Sequence, residues 1–164
     1  MDSQIAALFL DFSSNKLEQM TTTLNACLNR LSDEQIWKRG AAHENAIGNL
    51  VLHLCGNMRQ WIMYGVDRQP DVRVRDAEFA ADGGMTKGEL IALFGSTVAE
   101  VREILAKLPA QRLTDRTNPQ YGEVAVLDAI YQVVGHVQQH VGQIILLTKQ
   151  MAATDLDLSI PRPR

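Results

Sequence analysis

A chain of 164 residues is long enough to close one well-packed core and short for two domains. Its composition, 46% hydrophobic and 21% charged, is that of a globular domain, and a net charge of −3 leaves no basic footprint for nucleic acid or an anionic membrane. No stretch reaches the ~18 consecutive apolar residues of a membrane span, and the opening MDSQIAALFLDFSS lacks the basic region of a secretory leader.

Four apolar runs carry helical period. In the first, Ile5, Leu8, Phe9, Phe12, Met20, Leu24, Cys27, Leu28 and Leu31 fall mostly three or four apart. Ser32 with Gln35 forms a capping-box pair that predicts a short extra helix ending at Gly40. Asn45 is the expected N-cap of a second long helix from about Ala46 to Val66. The stretch from Asp67 to Met85, with Pro70, Gly83 and Gly84, reads as a long connecting loop. Thr86 and Glu89 announce a third long helix that runs to Pro109. Around the turn signal Asn118-Pro119-Gln120-Tyr121-Gly122, the flanks Arg112–Arg116 and Glu123–Val126 suit a small β-hairpin. A fourth long helix, without an obvious cap, spans about Val124 to Met151. The expected fold is therefore an all-α four-helix bundle, one domain over 1–152, with 153–164 as a tail frayed or draped over the surface. The long second and third connections permit crossovers.

The second and fourth helices are almost free of charge. Arg59 is the only charged side chain between Ile47 and Val66, and Asp128 the only one between Val124 and Thr148. Both nevertheless carry a narrow polar arc: Asn49, His53, Asn57, Gln60 and Tyr64 on the second, and Gln132, His136, Gln139, His140, Gln143 and Gln150 on the fourth. These arcs are either solvated faces or the two walls of a shared polar cleft. A wet stripe with no Lys, Glu or Arg is unusual, which favours the cleft. Amides and imidazoles buried there need hydrogen-bond or metal partners, since an orphan costs about 1–3 kcal/mol.

His136 and His140 stand four apart, one helical turn, so two imidazoles can converge on one ion. A third ligand must come from elsewhere, and His53 sits mid-way along the other charge-poor helix. Three neutral imidazoles suit Zn²⁺ and, with more open positions, Ni²⁺, Fe²⁺ or Mn²⁺. The amides of Asn49, Asn57, Gln60, Gln132, Gln139 and Gln143, with Tyr64, are candidates to support the ligands or position a substrate. The arcs themselves contain no carboxylate for that role. His43, in a loop, is expected at the surface. Cys27 and Cys55 are too few for a disulfide framework and read as small buried hydrophobes in a reducing cytoplasm.

The segments Asn45-Ala-Ile-Gly-Asn-Leu-Val-Leu-His53-Leu and His136-Val-Gln-Gln-His140-Val-Gly-Gln143-Ile, with the long linker between the helices, resemble the DinB/YfiT-like family of helical-bundle metalloproteins. The resemblance covers nearly the whole chain. It implies a three-histidine site of His53, His136 and His140 holding one divalent metal ion, and homodimers. It also implies thiol-dependent chemistry, since relatives include S-transferases using a thiol such as bacillithiol and a mycothiol-dependent maleylpyruvate isomerase. Some isomerase relatives carry a carboxylate in place of one histidine; this chain keeps all three, nearer the transferase type. The leading expectation is a thiol S-transferase, with a small-molecule thiol and an electrophile as substrates. The alternatives are a metal-dependent hydrolase on the same residues and a non-catalytic metal-binding or sensing bundle.

Overall fold

The computed structural model describes residues 3–152 together with Leu156 and Leu158. Its helices are α1 (Ser3–Leu28), α2 (Asp33–Trp37), α3 (Ile47–Met58), α4 (Arg75–Ala80), α5 (Lys87–Lys107) and α6 (Val126–Ala152). A π-helical segment, Arg59–Tyr64, continues α3. A 3-10 turn (Ala110–Thr114) and two short antiparallel strands, β1 (Arg116–Thr117) and β2 (Val124–Ala125), precede α6. This is the expected helical bundle with its short extra helix and small two-stranded element. The strands are shorter than the flanks suggested, and residues 112–114 belong to the 3-10 turn instead.

Local signals account for the helix starts that were legible. Ser32 closes a capping box with Gln35 on α2, and Thr86 does the same with Glu89 on α5. The start of α3 differs from expectation: Ala46, not Asn45, is the N-cap, and the box is closed from inside the helix by Asn49, whose Oδ1 accepts from the Ala46 N–H at 3.0 Å. The loop between the second and third long helices also contains α4, which no side chain caps.

The four long helices form a ring in which α1 packs on α5 and α6, and α3 packs on the same two. Helices α1 and α3 thus lie diagonally across the bundle, as do α5 and α6. The first and third connections cross that diagonal, while the second joins neighbours. Leu17, Leu24, Leu54, Met58, Phe94, Val101, Val137 and Ile144 are buried in the shared core, and Leu156 joins them. The rest of the tail expected over 153–164, apart from Leu158, lies outside the described residues. Among the described residues no helix is long and apolar enough to cross a membrane.

Candidate metal centre

Helix α3 is central: ten of its twelve residues are buried, which explains why it carries no charge. His53 lies at its middle, 7% exposed. His136 and His140 come from α6, which packs beside it. The ring centroids of His53 lie 5.0 Å from His136 and 5.2 Å from His140, and those of the α6 pair are 4.5 Å apart. One potential ligand atom from each of the three falls within 4.8 Å of the others, a cluster capable of holding a metal ion. The Nε2 atoms of His53 and His136 approach to 2.9 Å.

The polar arc of α6 does not form the inner wall of a cleft. Gln132, Gln139, Gln143 and Gln150 are exposed, and only the two histidines are half-buried. At about 100° per residue, His140 stands roughly 60° and His136 roughly 100° from the centre of the buried stripe of α6, but the nearer glutamines stand roughly 120–160° away. The histidines therefore occupy the shoulder of the helix–helix contact, and the glutamines continue onto its outer face.

On α3 the arc breaks up differently. Asn49 is fully buried and serves the backbone: its Nδ2 donates to the carbonyls of Glu78 (3.0 Å) and Ala81 (2.7 Å). Asn57, one turn beyond His53, is also buried, and its Oδ1 has no partner among the described residues. Gln60 Oε1 accepts from Arg73 at 3.0 Å, and its Nε2 donates to Asp71 at 3.0 Å. Tyr64 leaves the arc, because the π-helical hydrogen bonds widen the turn and rotate it off the His53 face. It lines a separate cavity of about 290 Å³ with Gly65, Arg68, Arg112, Arg116 and Thr117.

The residues that sequence reasoning missed come from the linker. Glu78 on α4 is buried, and its Oε2 lies 3.0 Å from Nδ1 of His53. Arg73 donates to both carboxylate oxygens of Glu78, each at 2.8 Å. Phe79 stacks at a tilt on the His53 ring, 4.8 Å between centroids. Position 78 is 25 residues from His53 in a stretch with no strong periodicity, so only the tertiary fold reveals the pairing.

The electrostatics favour metal ligation. Burial, then the nearby His140, His53 and Arg73, lower the His136 pKa to about 4. Burial also lowers that of His140, although its hydrogen bond to Gln143 pulls the other way. Both are therefore neutral donors at neutral pH. Nδ1–H of His140 donates to Gln143 Oε1 at 2.6 Å, which leaves Nε2 as the ring's lone-pair donor. Burial raises the Glu78 carboxyl, but hydrogen bonds from Arg73 and His53 and the charge of Arg73 outweigh it and hold the pKa below the usual value. Three imidazoles converging from two adjacent helices fit a divalent transition ion. The cysteines take no part: Cys27 and Cys55 are buried, and burial pushes the Cys55 thiol up to about 12. His43 is exposed, as expected.

Solved structures share this architecture. A DinB-like protein from Bacillus subtilis, YjoA, superposes with a TM-score of 0.68 at 14% identity, covering 87% of this chain and 93% of its own. A DinB-like protein from Bacillus cereus gives a TM-score of 0.65 at 14% identity, covering 81% and 86%. At such identity the likeness is one of fold. No curated protein matches the chain. A family model described as "Protein of unknown function (DUF1572)" matches residues 4–164, and with that span covered, the chain is a DinB-like helical bundle belonging to the DUF1572 family.

Proposed function

We propose that the chain is a divalent-metal-dependent enzyme that transfers a low-molecular-weight thiol to an electrophilic small molecule, acting as a cytoplasmic homodimer. The observation that carries this reading is the convergence of three histidines, two of them kept neutral by burial, with their candidate ligand atoms within 4.8 Å of one another. Zn²⁺ suits the set best, with Ni²⁺, Fe²⁺ or Mn²⁺ as alternatives. His53, His136 and His140 would hold the ion without neutralising it, and its charge would supply the means of lowering the pKa of a thiol bound beside them. His53 forms the buried floor of the site and the half-buried His136 and His140 its accessible side, so a small thiol reaches it from solvent. Gln132 and Gln139 stand exposed on the histidine side of α6 and are available to the electrophile.

Elemental analysis of untagged protein, beside a His136→Ala variant, tests the reading first. About one equivalent of a transition metal, lost in the variant, is the expected result. The metal-replete protein should then accelerate conjugation of a thiol with an electrophile from a panel of each. Turnover without added thiol would move the assignment to hydrolysis. Absence of turnover, with a large fall in melting temperature on chelation, would leave a metal-stabilised binding protein.

A further inference from the structure

We infer that Glu78, gripped by Arg73, is a positioning residue for this centre: it fixes His53 as the Nδ1–H tautomer, so that Nε2 presents its lone pair to the metal. The inference rests on the metal reading above, and it makes the 67–85 linker part of the site.

A carboxylate only accepts, so the 3.0 Å contact between Glu78 Oε2 and His53 Nδ1 requires a proton on Nδ1. Arg73 Nη2 also lies 3.1 Å from Nδ1, a bond open only to the other tautomer, but Nη2 already donates to Oε2 at 2.8 Å, and a bare Nδ1 would set its lone pair against the carboxylate at 3.0 Å. The lone pair of His53 is thereby left on Nε2, the atom that faces His136 at 2.9 Å.

The side chains of Arg73 and Glu78 are only 2% and 9% exposed. A buried ion pair loses hydration and endures when its hydrogen bonds are complete. Here every polar atom of the pair has a partner: two bonds join Arg73 to Glu78, Arg73 Nη1 donates to Gln60 at 3.0 Å, and Oε2 also faces the histidine.

The linker does not need this pair as an anchor. Its backbone is already held by Asn49 at the carbonyls of residues 78 and 81, and by Arg39 Nη2 at those of Phe79 (2.8 Å) and Ala81 (3.0 Å). The carboxylate reaches the ring nitrogen in addition to these ties. Gly56, one turn along α3 from His53, makes room for it. A Cβ there would fall 2.7 Å from Cδ of Glu78 and 3.0 Å from Nε of Arg73. Second partners of this kind orient a ligating imidazole and strengthen it as a donor, and their loss typically costs about 10–100-fold in metal affinity.

Two readouts on the full chain test the inference. The first is the ¹⁵N spectrum of the histidine rings in chelated protein, which reports the His53 tautomer without any metal. The second is Co²⁺ titration followed by its visible absorption. Wild type should show the Nδ1–H tautomer. An Arg73→Met/Glu78→Leu pair, which removes both charges together and so preserves the fold, should lose that preference and about 10–100-fold of Co²⁺ affinity. Glu78→Gln, a neutral acceptor of the same shape, should fall between the two. A folded double variant that keeps the tautomer and the affinity overturns the inference. Should the double variant fail to fold, unchanged Co²⁺ affinity in Glu78→Gln overturns it equally. Wild type with the Nδ1–H tautomer but no Co²⁺ uptake would keep the orienting role of Glu78 and overturn the metal reading instead.

Discussion

His136 is held neutral down to about pH 4 by burial first and by its His140, His53 and Arg73 neighbours second, and this has a consequence for the metal-free protein. In the unfolded chain the same imidazole titrates near 6.5. Between about pH 6.5 and 4 the unfolded state therefore binds more protons than the folded one, and stability rises with pH across that window. Acidification from pH 7 to pH 4.5 should lower the urea midpoint of chelated protein, and the loss should be smaller in His136→Gln. Equal losses in the two proteins would show that His136 does not carry the acid sensitivity. The ordinary glutamate value of 4.5 falls at the acid edge of this window, and Glu78 is held below it, so its contribution is intact at pH 6 and is lost as the pH falls through that lower folded value. Metal loading follows the folded value instead, because a protonated imidazole is no ligand and His136 takes up its proton only near pH 4.

At the scale of elements, α4 is the piece whose existence depends on the rest of the molecule. Six residues are too few for a helix to stand alone, and no side chain caps its start. It is held from α3, chiefly by Asn49, which satisfies the Ala46 N–H at one end of its amide and the carbonyls of residues 78 and 81 at the other. Asn49→Ala should take the side-chain partner from the Ala46 N–H and the Glu78 carbonyl, leave the Ala81 carbonyl to Arg39 alone, and cost about 2–3 kcal/mol in chemical denaturation. Amide exchange over residues 75–81 should accelerate at the same time, and a variant with unchanged stability would refute the anchoring role. This dependence also explains what was legible. The boxes at Ser32 and Thr86 are readable because donor and acceptor lie three residues apart. The His136/His140 pair is readable for the same reason, one turn of one helix. His53 was located by its place in a charge-free helix, since burial on all sides leaves that mark in composition. Asn49 shares the arc of His53, but periodicity cannot tell a residue facing a substrate from one facing a neighbouring loop. Nor can it follow the chain through the π-helical turn that carries Tyr64 away, or find a carboxylate delivered from a loop. Glu78 was invisible because its partner lies 25 residues away and only packing joins them.

At the scale of the whole molecule, the outer side of α6, charged only at its ends by Asp128 and Lys149, and the adjoining α1 remain to be accounted for. Ile5, Leu8 and Phe12, spaced three and four apart along one side of α1, are 58%, 64% and 69% exposed. On α6, Tyr131 and Leu146 are 70% and 57% exposed, among the glutamines and glycines that carry no charge. A helix face turned permanently to water normally bears Lys or Glu, and large apolar side chains grouped on one exposed face mark a contact surface. The two helices pack on each other, so one copy seated on this side would cover apolar side chains of both. This is the surface expected for the proposed homodimer. Light scattering on the full chain should give twice the 18.2 kDa of one copy. Leu8→Glu/Phe12→Glu, at positions whose side chains are mostly in solvent and whose replacement leaves the core intact, should give 18.2 kDa with the helical circular dichroism unchanged. A double variant that still runs at twice the mass would place the interface elsewhere. A wild-type protein that runs as one chain at high concentration would remove the dimer from the proposal and leave the histidine cluster to work in a single copy.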